Sequence, residues 1–328
     1  ADGREERFLW DQAGGSGGGG GTSTLGRLIR IDELQNTALT ASTQYGYDAQ
    51  GRVTSETRTE GALTLTTGYA WNNGDLIGLT YPSGKQLAYG RDSQGRVTQI
   101  TLTDNGVTRT VLNQVQYHPF GGIKSYVTGA GQTLTRSQDQ DGRINAFTLG
   151  TGLWQIGYDP AGRIGYQTDT TNAANTVSYG YDNLDRLTGA VLPATSLGYG
   201  YDATGNRTSQ SVGGATYSYT VSPTSNRLTG INTVPPKTYT HDANGSVTGD
   251  GQNSFGYDAR GRMTQAQTAA GSTQYRLDAL GRRIAKTNTA EDTRYVYDRA
   301  GHLISETDAT GSARREVIWL DDLPVGVL

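Results

Sequence analysis

Between Phe255 and Leu303 the apolar and polar positions follow one short phrase, used three times. Phe255-Gly-Tyr257-Asp258-Ala-Arg-Gly261-Arg262 returns as Tyr275-Arg-Leu277-Asp278-Ala-Leu-Gly281-Arg282 and as Tyr295-Val-Tyr297-Asp298-Arg-Ala-Gly301-His302, with the aspartates twenty residues apart. Aromatic residues two apart leave the same face of an extended chain, so the phrase predicts a β-strand. The Asp-x-x-Gly that follows fits a four-residue turn. Its Asp can accept a bond from the backbone two residues on, and its Gly can take the left-handed conformation. The returning segment, as in Arg52-Val53-Thr54 and Arg186-Leu187-Thr188, supplies a second strand rich in β-branched and aliphatic residues. A fixed period of this size marks a repeat whose units bury their faces only by stacking on neighbours. The expected fold class is all-β, with hairpins side by side in one continuous curved antiparallel sheet.

Taken in order, Phe8-Leu-Trp10-Asp11-Gln-Ala-Gly14 opens the array near residues 8–14, and a Gly-rich loop follows over 14–21. Leu25-Gly26-Arg27-Leu28-Ile29-Arg30-Ile31 reads as its returning strand, which favours a natural loop there. Repeats then occupy about 45–316. Their turn-entry positions are Asp48, Asn72, Asp92, His118, Asp139, Asp159, Asp182, Asp202, Ser222, Asp242, Asp258, Asp278 and Asp298, in steps of sixteen to twenty-six residues. Val317-Ile318-Trp319-Leu320-Asp321-Asp322-Leu323-Pro324-Val325 breaks the Asp-x-x-Gly rule and makes 317–328 a cap or junction. The whole of 1–328 is thus expected to be a single array.

Composition changes this picture in one respect. With 47 Gly and 20 Tyr against four Phe and one Met, aromatic ladders and hydrogen bonds must carry much of the cohesion. A residue that fills the same slot in nearly every repeat is structural: Asp serves the turn, Tyr packs on the next hairpin, and Arg crosses a Tyr face or pairs with an Asp. The net charge of −3 is spread without long runs, which points away from nucleic acid, and no apolar run reaches spanning length. Cysteine is absent, so there are no disulfides or thiolate metal sites. The start at Ala1, without Met or a signal peptide, suggests a trimmed or cleaved chain.

These motifs resemble the YD-repeat, or Rhs-repeat, family, which includes bacterial polymorphic toxins, the B and C components of insecticidal toxin complexes, and teneurins. The resemblance covers almost the whole chain. It implies hairpins coiled into part of a shell or barrel-like spiral that, in the toxins, encloses a cytotoxic domain. The expected role is therefore a secreted or cell-surface scaffold. Its partners would be the remainder of the shell, a cargo domain, or another copy meeting it at strand edges. Roughly fourteen hairpins at ~4.8 Å per strand make a strip of ~130 Å, enough for a ring ~40 Å across. The family's cleavage segment is represented only by Asp159-Pro160-Ala161-Gly162, which falls in repeat register as an ordinary turn.

No nucleotide, zinc or nucleophile motif is present, and no cofactor or metal is called for. The most irregular repeat, Tyr117-His118-Pro119-Phe120-Gly121-Gly122-Ile123-Lys124, places a Tyr and a His near cations. His118 and Tyr117 could remove the proton beside a uronate carboxylate, with Lys124, Arg136 and Arg143 holding that carboxylate, as in a polysaccharide lyase. The simpler reading is a hairpin in which His replaces Asp. Tyrosine-lined sheets also suit sugar binding without catalysis.

Overall fold

The structure, a computed structural model, describes residues 3–11, 25–119 and 121–328. Among these, thirty-one strands lie between Arg4 and Val327, with one short 3-10 turn at Ala173–Asn175. Strands pair antiparallel with the next in sequence, from Arg4–Trp10 on Leu28–Gln35 to Ala313–Leu320 on Leu323–Val327. They form a 21-stranded sheet that ends at Lys237–Thr238 and a ten-stranded sheet that begins at Thr240–His241. At the break, the Tyr239 N–H still bonds back to the Thr229 carbonyl at 2.9 Å.

The pairing register slips by one residue at the second aromatic of many hairpins, as at Gly46/Tyr47, Gly157/Tyr158, Gly200/Tyr201 and Val296/Tyr297. Such a bulge bends the strand and leaves the ladder locally unpaired. It occurs where the chain enters the Asp turn, and its consequence for the next hairpin is described below.

Two turns depart from expectation. Asn72 does not open a four-residue turn. It pairs directly with Asp75, and Asn73 (φ 47°) and Gly74 (φ 95°) form a two-residue connection. An Asn-Gly pair tolerates positive φ at both positions, which is the conformation a tight hairpin needs. Ser222 closes on Arg227 in place of a residue four further on, so its turn is one residue longer. The Gly-rich stretch at 14–21 lies outside the described residues, as does Phe120. The residues flanking the former are informative: Asp11 N–H bonds the Arg27 carbonyl and Gly26 N–H bonds the Asp11 carbonyl, the same two bonds made by Asp48, Gly51 and Arg52. Asp11, Gly26 and Arg27 thus close on one another with the backbone bonds of an Asp turn.

The chain divides into two compact units, Ala1–Asn113 together with Phe255–Leu328, and Gln114–Ser254. The first has a true core, with Tyr81, Ile100, Leu102, Leu112, Ile304 and Ile318 essentially inaccessible to solvent. The second buries few apolar side chains, among them Val115, Ile123, Tyr126 and Ala190. Its Tyr158, Tyr181, Tyr199, Tyr201 and Tyr219 are half-buried.

Candidate functional surface

The Asp turn is a closed hydrogen-bonded unit. Asp159 Oδ1 accepts the N–H groups of Ala161 and Arg163 at 2.9 and 3.0 Å, and Oδ2 accepts Arg163 Nε at 2.7 Å. Gly162, at φ 83°, donates its N–H to the Asp159 carbonyl. The Arg163 bonds hold the Asp159 carboxyl below its ordinary pKa. Asp48, Asp92, Asp139, Asp182, Asp258 and Asp278 make the same Oδ2 bond to their own arginines.

The second aromatic of each phrase ties that turn to the hairpin before it. Tyr158, Tyr181 and Tyr201 donate their hydroxyls at 2.8 Å to the carbonyls of Ile144, Ile164 and Leu187. Ile164 and Leu187 are the residues opposite the second aromatic at the preceding register slip, so the bulge supplies the acceptor. The arginine before each acceptor lies over the same ring, with Arg143, Arg163 and Arg186 at 4.4 to 4.8 Å from the centroids of Tyr158, Tyr181 and Tyr201. Arg163 and Arg186 also reach forward to the carbonyls of Asp182 and Asp202. One guanidinium therefore closes its own turn, covers the next tyrosine and grips the next turn. Tryptophan substitutes for tyrosine because its indole N–H donates in the same way, from Trp71 to Val53 and from Trp319 to Leu303. Replacing Tyr201 by Phe removes only the donor and will cost about 1 kcal/mol. Urea unfolding checks this, and an unchanged midpoint would show that the hydroxyl does not hold the hairpins together.

In the first unit, these hairpins also pack in two layers. The tyrosine face of the N-terminal segment, which bears Tyr45, Glu56 and Arg58, meets the opposite face of the C-terminal segment. Glu56 pairs with Arg282 at 3.2 Å, Glu60 with Arg276 at 3.1 Å, and Glu6 with Arg260 at 2.6 Å. Tyr81 donates to the Val317 carbonyl at 2.9 Å, and Lys85 pairs with the fully buried Glu316 at 2.8 Å. At the heart of the contact Arg58 holds both oxygens of Glu33 at 2.8 Å and one of Glu60 at 2.7 Å. Burial alone would raise the Glu33 pKa, but the Arg58 guanidinium outweighs it and holds the carboxyl below its ordinary value.

One turn replaces the final Arg of the phrase with a titratable group. His302 stacks on Trp319 at 4.5 Å and bonds Asp298 through Nδ1 and Asp322 through Nε2, each at 3.0 Å. Burial pulls its pKa down, but the two carboxylates outweigh this and set it above the ordinary histidine value. A raised folded pKa means that the stabilisation is complete below the unfolded value of about 6.5 and disappears as pH rises through the folded value. Amide protection in Leu323–Val327, taken relative to the intrinsic base-catalysed rate, is therefore expected to fall through that interval. His302→Arg should remove this loss of protection; an equal loss in that variant would exclude His302 as its source.

The residues singled out for chemistry lie in the second unit. His118 occupies the Asp slot: its N–H bonds the Gly122 carbonyl, Gly121 donates to its carbonyl, and its Nε2 lies 3.1 Å from the Arg136 carbonyl. Tyr117 ends the preceding strand, Val107–Tyr117. Lys124 is exposed on Ile123–Thr128. Arg143 is engaged by Asp139, Asp141 and the Tyr158 ring. The structure thus brings His118 to the Arg136 backbone and places Arg143 in a rung of its own. Sequence reasoning missed the interlayer residues Glu33, Arg58, Lys85 and Glu316. A signal was present: the chain has no Glu between residues 114 and 254, outside the layered unit.

Hairpins joined laterally by aromatic donors and guanidinium groups define a repeat scaffold of the shell-forming class. Family models agree: the Teneurin YD-shell matches residues 151–308, and the RHS Repeat matches 23–63 and 71–107. The chain belongs to the YD/Rhs-repeat family. No curated protein matches it. Among solved structures, the Photorhabdus luminescens Tc holotoxin pore aligns at TM-score 0.72 and 16% identity, covering 96% of this chain and 21% of that one. The TcdB2-TccC3 complex aligns at TM-score 0.73 and 15% identity, covering 96% and 22%. The chain spans about a fifth of the length of these solved chains.

Proposed function

We propose that the chain is a wall segment of a larger YD/Rhs shell that encloses or presents a toxin or effector domain lying outside these residues. It acts outside the cell, by geometry and without catalysis. The observation that carries this reading is the rung itself. Tyr158, Tyr181 and Tyr201 find their acceptors on the hairpin before them, and Arg163 and Arg186 reach the turn after them, so the ladder extends sideways, while the layer contact lets one stretch of strip cover another. Neighbours in the assembly would be further shell repeats or copies of this chain at the strand edges. The test is limited proteolysis of the whole natural protein. A cargo domain that resists protease until the shell unfolds supports the reading, and one digested as fast as the isolated domain overturns it.

A second reading rests on the meeting of His118 with the Arg136 backbone, near the exposed Lys124: a strip that binds or cleaves an acidic polysaccharide. Neither Lys124 nor Arg136 makes an ion pair among the described residues. New absorbance from unsaturated uronate products, lost in His118→Ala, would support the lyase. No product from any acidic polysaccharide would remove it.

A further inference from the structure

The tyrosine face of the C-terminal segment, which points away from the layer contact, holds a cleft of about 600 Å³. It is lined by Met263, Tyr275, Leu277, Tyr295, Leu303 and Arg283. Volumes of this order suit a small organic molecule. The lining has an unusual polar inventory. It contains no carboxylate and no amide side chain, and the Tyr297 hydroxyl at its border is already donated to the Arg283 carbonyl at 2.8 Å. Arg283 lies 5.3 Å from the Tyr275 centroid. Unlike the ladder arginines it has no Asp in its own turn, because Asp278 is engaged by Arg282 at 2.7 Å. Among the described residues Arg283 makes no ion pair.

The acids near the cleft are already engaged. Glu306, opposite Tyr295, lies 3.8 Å from Arg315, and Glu291 pairs with Lys286, which stands opposite Tyr275. Arg283 is thus the one cation of the lining, set beside aromatic and aliphatic walls. A neutral sugar would leave most of its hydroxyls without partners in such a lining, and unpaired polar groups in a partly dry site are costly. A ligand with one anionic group and an otherwise apolar body has its single polar demand met by the guanidinium, which presents a fork of donors matched to a carboxylate.

We propose that this cleft binds a small monoanionic carboxylate carried on an aryl or branched-alkyl body. The carboxylate is held by Arg283, and the body lies between Met263, Leu277, Tyr295 and Leu303.

Met263 is the only methionine of the chain, so a labelled Met263 methyl group reports on this cleft alone by NMR. Biphenyl-4-carboxylate should move that resonance saturably in the unaltered protein, whereas biphenyl-4-carboxamide, matched in shape but uncharged, should bind about tenfold more weakly or not at all. Arg283→Gln should weaken the acid by a similar factor and leave the amide unaffected. Equal binding of acid and amide to the unaltered protein overturns the proposal without recourse to a variant. A stronger response to galacturonate than to the biphenyl acid overturns the apolar-body assignment.

Discussion

Replacing Arg58 by methionine will destabilise the protein by about 3–5 kcal/mol, the range for removing one partner of a buried ion pair. The side chain is 14% exposed and holds Glu33 through two parallel bonds and Glu60 through a third. Glu60 keeps Arg276 and Arg294 from the other layer, but Glu33 is left with the Ala279 N–H at 3.3 Å. The loss therefore falls on Glu33. Because its folded pKa is depressed, the wild-type contribution is present above the ordinary carboxylate range and is lost as pH falls through the folded value. In the variant burial, the largest influence on Glu33, is opposed only by the Ala279 N–H and the charge of Arg276, so the protonated acid is favoured relative to wild type. The difference between wild type and variant in urea unfolding should accordingly shrink as the solution is acidified. A variant within about 1 kcal/mol of wild type at neutral pH would mean that the layers are held by apolar packing and not by this network.

Lys85→Met will have a comparable effect, again about 3–5 kcal/mol, at the other end of the same contact. Glu316 is 0% exposed, and Lys85 Nζ bonds its Oε2 at 2.8 Å, while Oε1 has no partner among the described residues. Ser305, directly opposite on the neighbouring strand, is also fully buried, with its hydroxyl unpartnered. Removing the ammonium leaves a buried carboxylate with no cation paired to it and only the Ser305 hydroxyl on the residue opposite. Adding Glu316→Gln to Lys85→Met should recover most of the loss, since an amide carries no net charge into the interior. If the double variant is no more stable than the single one, the damage comes from the lost lysine stem and not from the orphaned charge.

The hairpins and their turns were legible because each is a local event. Asp159, Gly162 and Arg163 lie within five residues of one another, and the bonds that close their turn need nothing else from the fold. The expected Arg-over-Tyr contact is also present, with the addition that one arginine serves two turns at once. The reading of Asn72 as a turn entry failed for a local reason too: Asn73-Gly74 offers a tighter connection, and the tighter connection won.

Repetition in the amino-acid sequence determined the strand pairing, the lateral ladder and the family, because all three depend on neighbours in the chain. Only the tertiary structure decided which stretches face one another. Pairs such as Lys85 with Glu316 lie far apart in sequence, and the repeat phrase is the same on either side of them. The one trace is the residue between the aromatics. It is glycine at Gly46, Gly90, Gly157, Gly180 and Gly200, and still at Gly256, but becomes Arg276, Val296 and Ile318 further along the C-terminal segment, where Arg276 pairs across to Glu60 and Ile318 is fully buried. A face open to water needs no side chain there, whereas a face pressed against a second sheet must fill the space or pair a charge, and that demand exists only once the chain has folded back.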